Sequence, residues 1–215
     1  MPRVTAEHLA ARRQQIVDAA SACFARKGFH QATMQDICDE AQLSPGAVYR
    51  YFSSKVELIA ALCDESLRRH ADLIGAAAQD RDFTALADEV IAAYFGPGGE
   101  IEQGDKGALD LELIAEASRN PEIGAIGRRS FAGLRELFAA VVAAAQQRGE
   151  IAPELAPDAV ATMALSFYYG LVIQKSLDPA IDSQPYIAVM KALLNGTFRP
   201  AAAPVGVLEA ATRRR

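Results

Sequence analysis

At 215 residues the chain is long enough to bury a substantial core in one or two domains. Its balance of 51% apolar and 23% charged residues is that of a globular protein, and abundant alanine with no tryptophan favours helix over strand. The net charge of −5 is uneven: Met1 to Val56 carries seven basic and five acidic side chains, a net of +2, which leaves −7 for the remainder.

A mildly basic N-terminal piece on an acidic body fits a module that meets phosphates locally. No basic run followed by an apolar core and a small-residue cleavage site opens the chain. No apolar stretch reaches the roughly 18 residues of a spanning helix, so a cytoplasmic protein with no membrane partner is expected. The three cysteines (Cys23, Cys38, Cys63) lack a C-x-x-C spacing, and His8, His30 and His70 lack metal-ligand spacing. Buried small hydrophobes are expected at the cysteines, and neither metal nor cofactor.

Taken in order, the chain first shows an apolar stripe at threes and fours from Ala6 to Lys27, through Leu9, Ile16, Ala20 and Phe24, which predicts a helix. Gly28 offers a left-handed cap, and Phe29 can fold back on the last turn. Arg12 and Arg13 suit either a phosphate or a solvated face. Thr33 and Asp36 form a capping box for a second helix, and Gln42 and Leu43 make the turn after it. Ser44 caps a third helix with Pro45 at its first position. Val48 and Phe52 bury one side of that helix and leave Pro45, Gly46, Tyr49 and Arg50 on the other. Ser54 and Glu57 start a fourth helix at Lys55. Two short helices across a tight turn, the second presented by its N-terminal end, describe a helix-turn-helix.

The run from Arg12 to Leu62 closely resembles the DNA-binding domain of TetR/AcrR-type transcriptional regulators. The matching pieces are FARKGF (Phe24 to Phe29), TMQDI (Thr33 to Ile37), LSPGAVYRYF (Leu43 to Phe52) and KVEL (Lys55 to Leu58). Gln42 stands where the family often has glycine, and Gln35 where a basic residue is common. The resemblance, together with the outward positions, implies Thr33, Ser44, Tyr49 and Lys55 toward phosphates, and Gln35, Pro45, Gly46, Ala47 and Arg50 toward base edges.

Further helices are predicted from Lys55 to about Ala78, Asp82 to Phe95, Ala108 to Arg119, Glu122 to Arg148, Pro157 to Ser176 and Ser183 to Asn195, with a loop at Gly96-Pro97-Gly98-Gly99. The expectation is an all-α chain of about nine helices. Residues 1–54 form the DNA-binding domain, 55–198 an effector-binding and dimerisation domain (55–78 connecting the two), and 199–215 a disordered tail. Between Ala159 and Ile173 apolar residues occupy every face, which calls for cover on more than one side. Either this helix and the last one pair two copies, as in the family, or they are buried within one subunit. Pairing would use Val160, Met163, Phe167, Leu171, Tyr186, Met190 and Leu193. The resemblance also implies a small-molecule effector pocket, edged by Tyr94, Phe95, Phe131, Phe138, Phe167 and Tyr168, though these aromatics serve equally as core. Glu112 and Glu116 share a helical face, where they could meet a cationic ligand or only solvent.

The expected function is a regulator, by family precedent a repressor, that binds a palindromic operator in double-stranded DNA as a homodimer and is released by a small, largely apolar effector. A regulator answering to a protein partner, or to no effector, is the alternative. No G-x-S-x-G, P-loop or H-E-x-x-H motif supports an enzyme.

Overall fold

A computed structural model describes residues 6–77, 82–101 and 105–197. Among these there are nine helices and no strand: α1 (Ala6–Gln31), α2 (Met34–Glu40), α3 (Pro45–Tyr49), α4 (Lys55–Ala77), α5 (Phe83–Phe95), α6 (Asp105–Ala117), α7 (Pro121–Gln147), α8 (Pro157–Leu177) and α9 (Ser183–Thr197). The all-α expectation holds, and the sequence-derived boundaries lie within three residues of these except at the end of α1. The tail after Thr197 lies outside the described residues.

Local chemistry sets the N-terminal boundaries. α1 breaks at Gly28 (φ 74°, ψ 160°), a backbone conformation open essentially to glycine alone, and then completes one further turn to Gln31. Phe29 folds back edge-on against Phe24, their ring centres 4.8 Å apart. Thr33 and Asp36 close the capping box in both directions. α2 ends in a Schellman turn: Gln42 takes φ 54°, its amide donates to the Asp39 carbonyl, and the Leu43 amide donates to the Cys38 carbonyl. Ser44 Oγ accepts from the Ala47 amide with Pro45 in the first turn. At α4, Ser54 Oγ accepts from the Glu57 amide, while the Glu57 carboxylate reaches one residue further back, to the Ser53 amide at 2.7 Å.

Three apolar clusters hold the helices together. The first joins Ile16, Phe24, Ile37, Val48 and Phe52 of the N-terminal module to Leu58 and Ile59 of α4, Leu113 of α6, and Ile123 and Ile126 of α7. The second gathers α5, α8 and α9 around Tyr94, Phe95, Tyr168 and Leu171. The third sits where α7 meets α8, around Val142, Ala145, Ile151 and Val160. All three cysteines are buried and free, and desolvation raises each thiol, that of Cys63 to about 11.

Candidate functional sites: a reading edge and an acidic cavity

With Val48 fully buried beneath α3, the other side of that helix has to face out. Ser44, Pro45, Gly46, Tyr49 and Arg50 are exposed there, and Ala47 is half-buried. Tyr49 leaves half its surface open, and Arg50 makes no ion pair among the described residues. On α2 the Gln35 amide donates to Asp39 at 2.7 Å, and the Thr33 hydroxyl is engaged with Asp36 inside the capping box. Much of the local charge is spent within the module. Arg26 pairs with Glu40 at 2.6 Å and Lys27 with Asp36 at 2.8 Å, which holds the Asp36 carboxyl down to about 2. Arg13 lies over the Phe52 ring, and Arg12 bonds Gln15.

Lys55 is placed differently from a simple phosphate ligand. Its Nζ donates to the Phe29 carbonyl at 2.7 Å and the His30 carbonyl at 3.3 Å, so it caps the end of α1. From the other side of the same break, Glu112 of α6 accepts from the Phe29 amide at 3.4 Å, and its Oε2 lies 2.9 Å from where a Gly28 Cβ would stand. α4 and α6 thus grip the end of α1 together.

A cavity of about 200 Å³ lies between α4, α5, α6, α7 and α8. The aromatics singled out in the sequence, Tyr94, Phe95, Phe131, Phe138, Phe167 and Tyr168, all line it. Glu112 and Glu116 do not. Glu112 is turned to Gly28, and successive carboxylates at i and i+4 share a face that points away from the cavity. The acids that do line it are Asp110, two residues before Glu112, and Glu100 beyond the α5 loop. His70 Nε2 stands 3.7 Å from Glu100, and the His70 ring stacks on Tyr94. The Tyr168 hydroxyl donates to Asp110 at 3.4 Å. Withdrawal from water, then the neighbouring Glu100 charge, push the Asp110 carboxyl up to about 7. Burial raises the phenols of Tyr94, Tyr168 and Tyr169 as well.

The residues expected to pair two copies divide. Val160, Leu171 and Met190 are buried inside the protomer and have no surface to offer. Met163 and Phe167 line the cavity, and the Tyr186 hydroxyl donates to the Phe167 carbonyl at 2.8 Å, tying α9 to α8. Of the expected set only Leu193 is exposed. The outward stripe of α8 instead runs Thr162, Ser166, Gly170, Ile173, Leu177, and α9 adds Val189 beside Leu193; Leu177 is 82% and Val189 61% exposed. Three of the five α8 positions in that stripe, Thr162, Ser166 and Gly170, are small or polar, so a search for apolar residues passes over this face.

Residues 16–62 match the model for bacterial regulatory proteins of the tetR family, and residues 91–199 that for the BetI-type transcriptional repressor C-terminal domain. The chain belongs to the TetR family. It is a helix-turn-helix, DNA-binding transcriptional regulator. It is similar to the HTH-type transcriptional regulator UidR of Escherichia coli K12, 27% identical over 184 residues that cover 86% of this chain and 91% of UidR. Among solved structures it resembles Salmonella enterica GusR (TM-score 0.74, 24% identity, 92% of this chain and 99% of that one). It also resembles a transcriptional regulator from Saccharomonospora viridis in complex with choline (TM-score 0.72, 17% identity, 88% and 98%). No described helix of this TetR-family chain is long and apolar enough to cross a membrane.

Proposed function

We propose that two copies of this chain, paired through the outward stripe of α8 and α9, repress transcription by holding a palindromic operator, and that a small organic effector in the cavity releases it. Phosphates fall to Thr33, Ser44, Tyr49 and the basic end of Lys55; base edges fall to Gln35, Pro45, Gly46, Ala47 and Arg50. An exposed row of Ile173, Leu177, Val189 and Leu193 supports the pairing, because a monomer gains nothing by leaving them in water. The protein acts in the cytoplasm, where its DNA is, and carries out no catalysis of its own.

One observation carries the switch. α6 lines the cavity with Leu109, Asp110 and Leu113 and, one turn of the same helix away, holds the Phe29 amide through Glu112. A ligand that displaces α6 therefore moves the end of α1, to which the reading module is fixed, and alters the distance between the two reading edges. Such coupling is typically worth about 1–3 kcal/mol. The S. viridis regulator of similar fold is in complex with choline, which supports a small organic effector here.

Selecting bound duplexes from a random pool tests the reading. The expected product is an inverted repeat with half-sites roughly 34–36 Å apart or a multiple of that. Recovery of no inverted repeat at modest ionic strength would sink it.

A further inference from the structure

Three things coincide at one end of the cavity. The Asp110 carboxylate has no lysine, arginine or histidine nitrogen within ion-pair distance among the described residues. Tyr94 is 6% exposed, and its hydroxyl is buried without a hydrogen-bond partner. Aromatic rings wall the space between them: Tyr94 meets Tyr168 edge-on at 5.6 Å, and Tyr168 meets Tyr169 at 5.0 Å. The rest of the lining is largely apolar, with Leu86, Leu134, Val142 and Met163 beside Phe83 and Phe138.

A buried carboxyl and an orphaned phenol are both costly, and each is relieved by the same kind of group, a cationic N–H donor. Aromatic faces attract that cation further. A quaternary ammonium would satisfy the rings and the charge but has no N–H for the Tyr94 oxygen. An anionic ligand would add a charge beside Asp110 and Glu100. We propose that the effector is an amphiphilic amine bound as its ammonium, the head donating to Asp110 and Tyr94 and the aliphatic body lying along α5, α7 and α8. This rests on the reading of the cavity as the effector site.

The proton on Asp110 gives the binding a pH signature. The groups that face this carboxyl are Cys63, Arg69 and His70 on α4, Tyr94 on α5, Glu100 after it, and Tyr168 and Tyr169 on α8. Because burial holds Asp110 neutral below about pH 7 in the free protein, an arriving ammonium has to displace that proton at lower pH and binds more tightly as the pH rises.

Alkylamines from hexyl to decyl, the alkanols of equal length and the alkyltrimethylammonium ions serve as probes, read by calorimetry and by displacement from the selected operator. Octylamine should bind at least about tenfold tighter than octanol. Asp110→Asn should remove that advantage and leave octanol within about twofold; Tyr94→Phe should weaken octylamine several-fold and octyltrimethylammonium not at all. Affinity for octylamine should rise between pH 6 and 8 more steeply in the parent protein than in Asp110→Asn, where only other groups such as His70 remain to respond; equal slopes would overturn the role of Asp110. Equal binding of octanol and octylamine, no effect of Asp110→Asn, or no binding by any alkylamine each overturns the proposal. Should octanol match octylamine and both release DNA, the switch stands and the ammonium falls. Binding with the expected ratios but unchanged DNA affinity keeps the ammonium site and removes the switch.

Discussion

Replacing Gly28 by alanine tests the break in α1 most directly. At φ 74° and ψ 160° a Cβ is held where only glycine is at ease, a cost of about 1–3 kcal/mol. The new methyl would also fall 2.9 Å from Glu112 Oε2. That oxygen ends a flexible side chain, so the contact is relieved by moving the carboxylate, at the expense of its bond to the Phe29 amide, worth about 1 kcal/mol. Together these come to about 2–4 kcal/mol, which for a chain of this size lowers Tm by roughly 5–12 °C. Denaturant and thermal unfolding of Gly28→Ala, Glu112→Ala and the double variant separate the two parts. The double variant should lose less than the two single losses combined, because its methyl has nothing to displace. A loss below about 1 kcal/mol in Gly28→Ala would refute the conformational argument, since that is no more than an ordinary substitution costs.

Gln42→Gly should raise stability by about 0.5–1 kcal/mol, since Gln42 sits at φ 54° where side chains are strained; a lower denaturant midpoint would show instead that the glutamine contributes contacts. Lys55→Ala should cost about 1–3 kcal/mol by freeing the Phe29 and His30 carbonyls, and should reduce the salt slope of DNA binding by about 1 if Lys55 also meets a phosphate. An unchanged slope with the stability loss intact leaves it a structural cap alone. Asp110 is raised from the ordinary aspartate value to about 7, so the fold favours its protonated form. The parent protein should therefore lose stability from this group as pH rises from about 4 to about 7, by on the order of 1–3 kcal/mol, and ligand-free Asp110→Asn should not. Parallel pH profiles for the two proteins in chemical denaturation would contradict this. Leu193→Glu places a charge on the exposed stripe and should convert dimers to monomers in sedimentation at micromolar protein; an unchanged dimer would move the interface elsewhere.

The N-terminal architecture was legible because capping is local chemistry. Thr33 with Asp36, and Ser44 with Pro45, announce their helix starts within four residues, and these bonds form as the spacing implies. The same holds for the six cavity aromatics, whose helices carry them inward. Depth was harder to read. Asp110 and Glu112 stand two positions apart, about 200° around a helix, and only the packing of α6 against α1 decides which faces the cavity. In the sequence both acids simply alternate with Leu109, Leu111 and Leu113, which does not tell one from the other. Glu100 gave none, because its position depends on how the loop after α5 turns back. The second role of Lys55 was equally hidden, since its carbonyl partners lie 26 and 25 residues away.

The apolar cluster shared by α1–α3 with Leu113, Ile123 and Ile126 bears on how such regulators could be recombined. A chimera spliced at residue 54 would carry one half of that cluster and meet a stranger's half, with mismatched volumes and an unanchored Gly28 corner. Transplanting a foreign reading head onto this sensor therefore requires retailoring the receiving surface of α6 and α7. Swaps that respect this surface should keep their inducibility, while those that ignore it should yield insoluble or unresponsive hybrids.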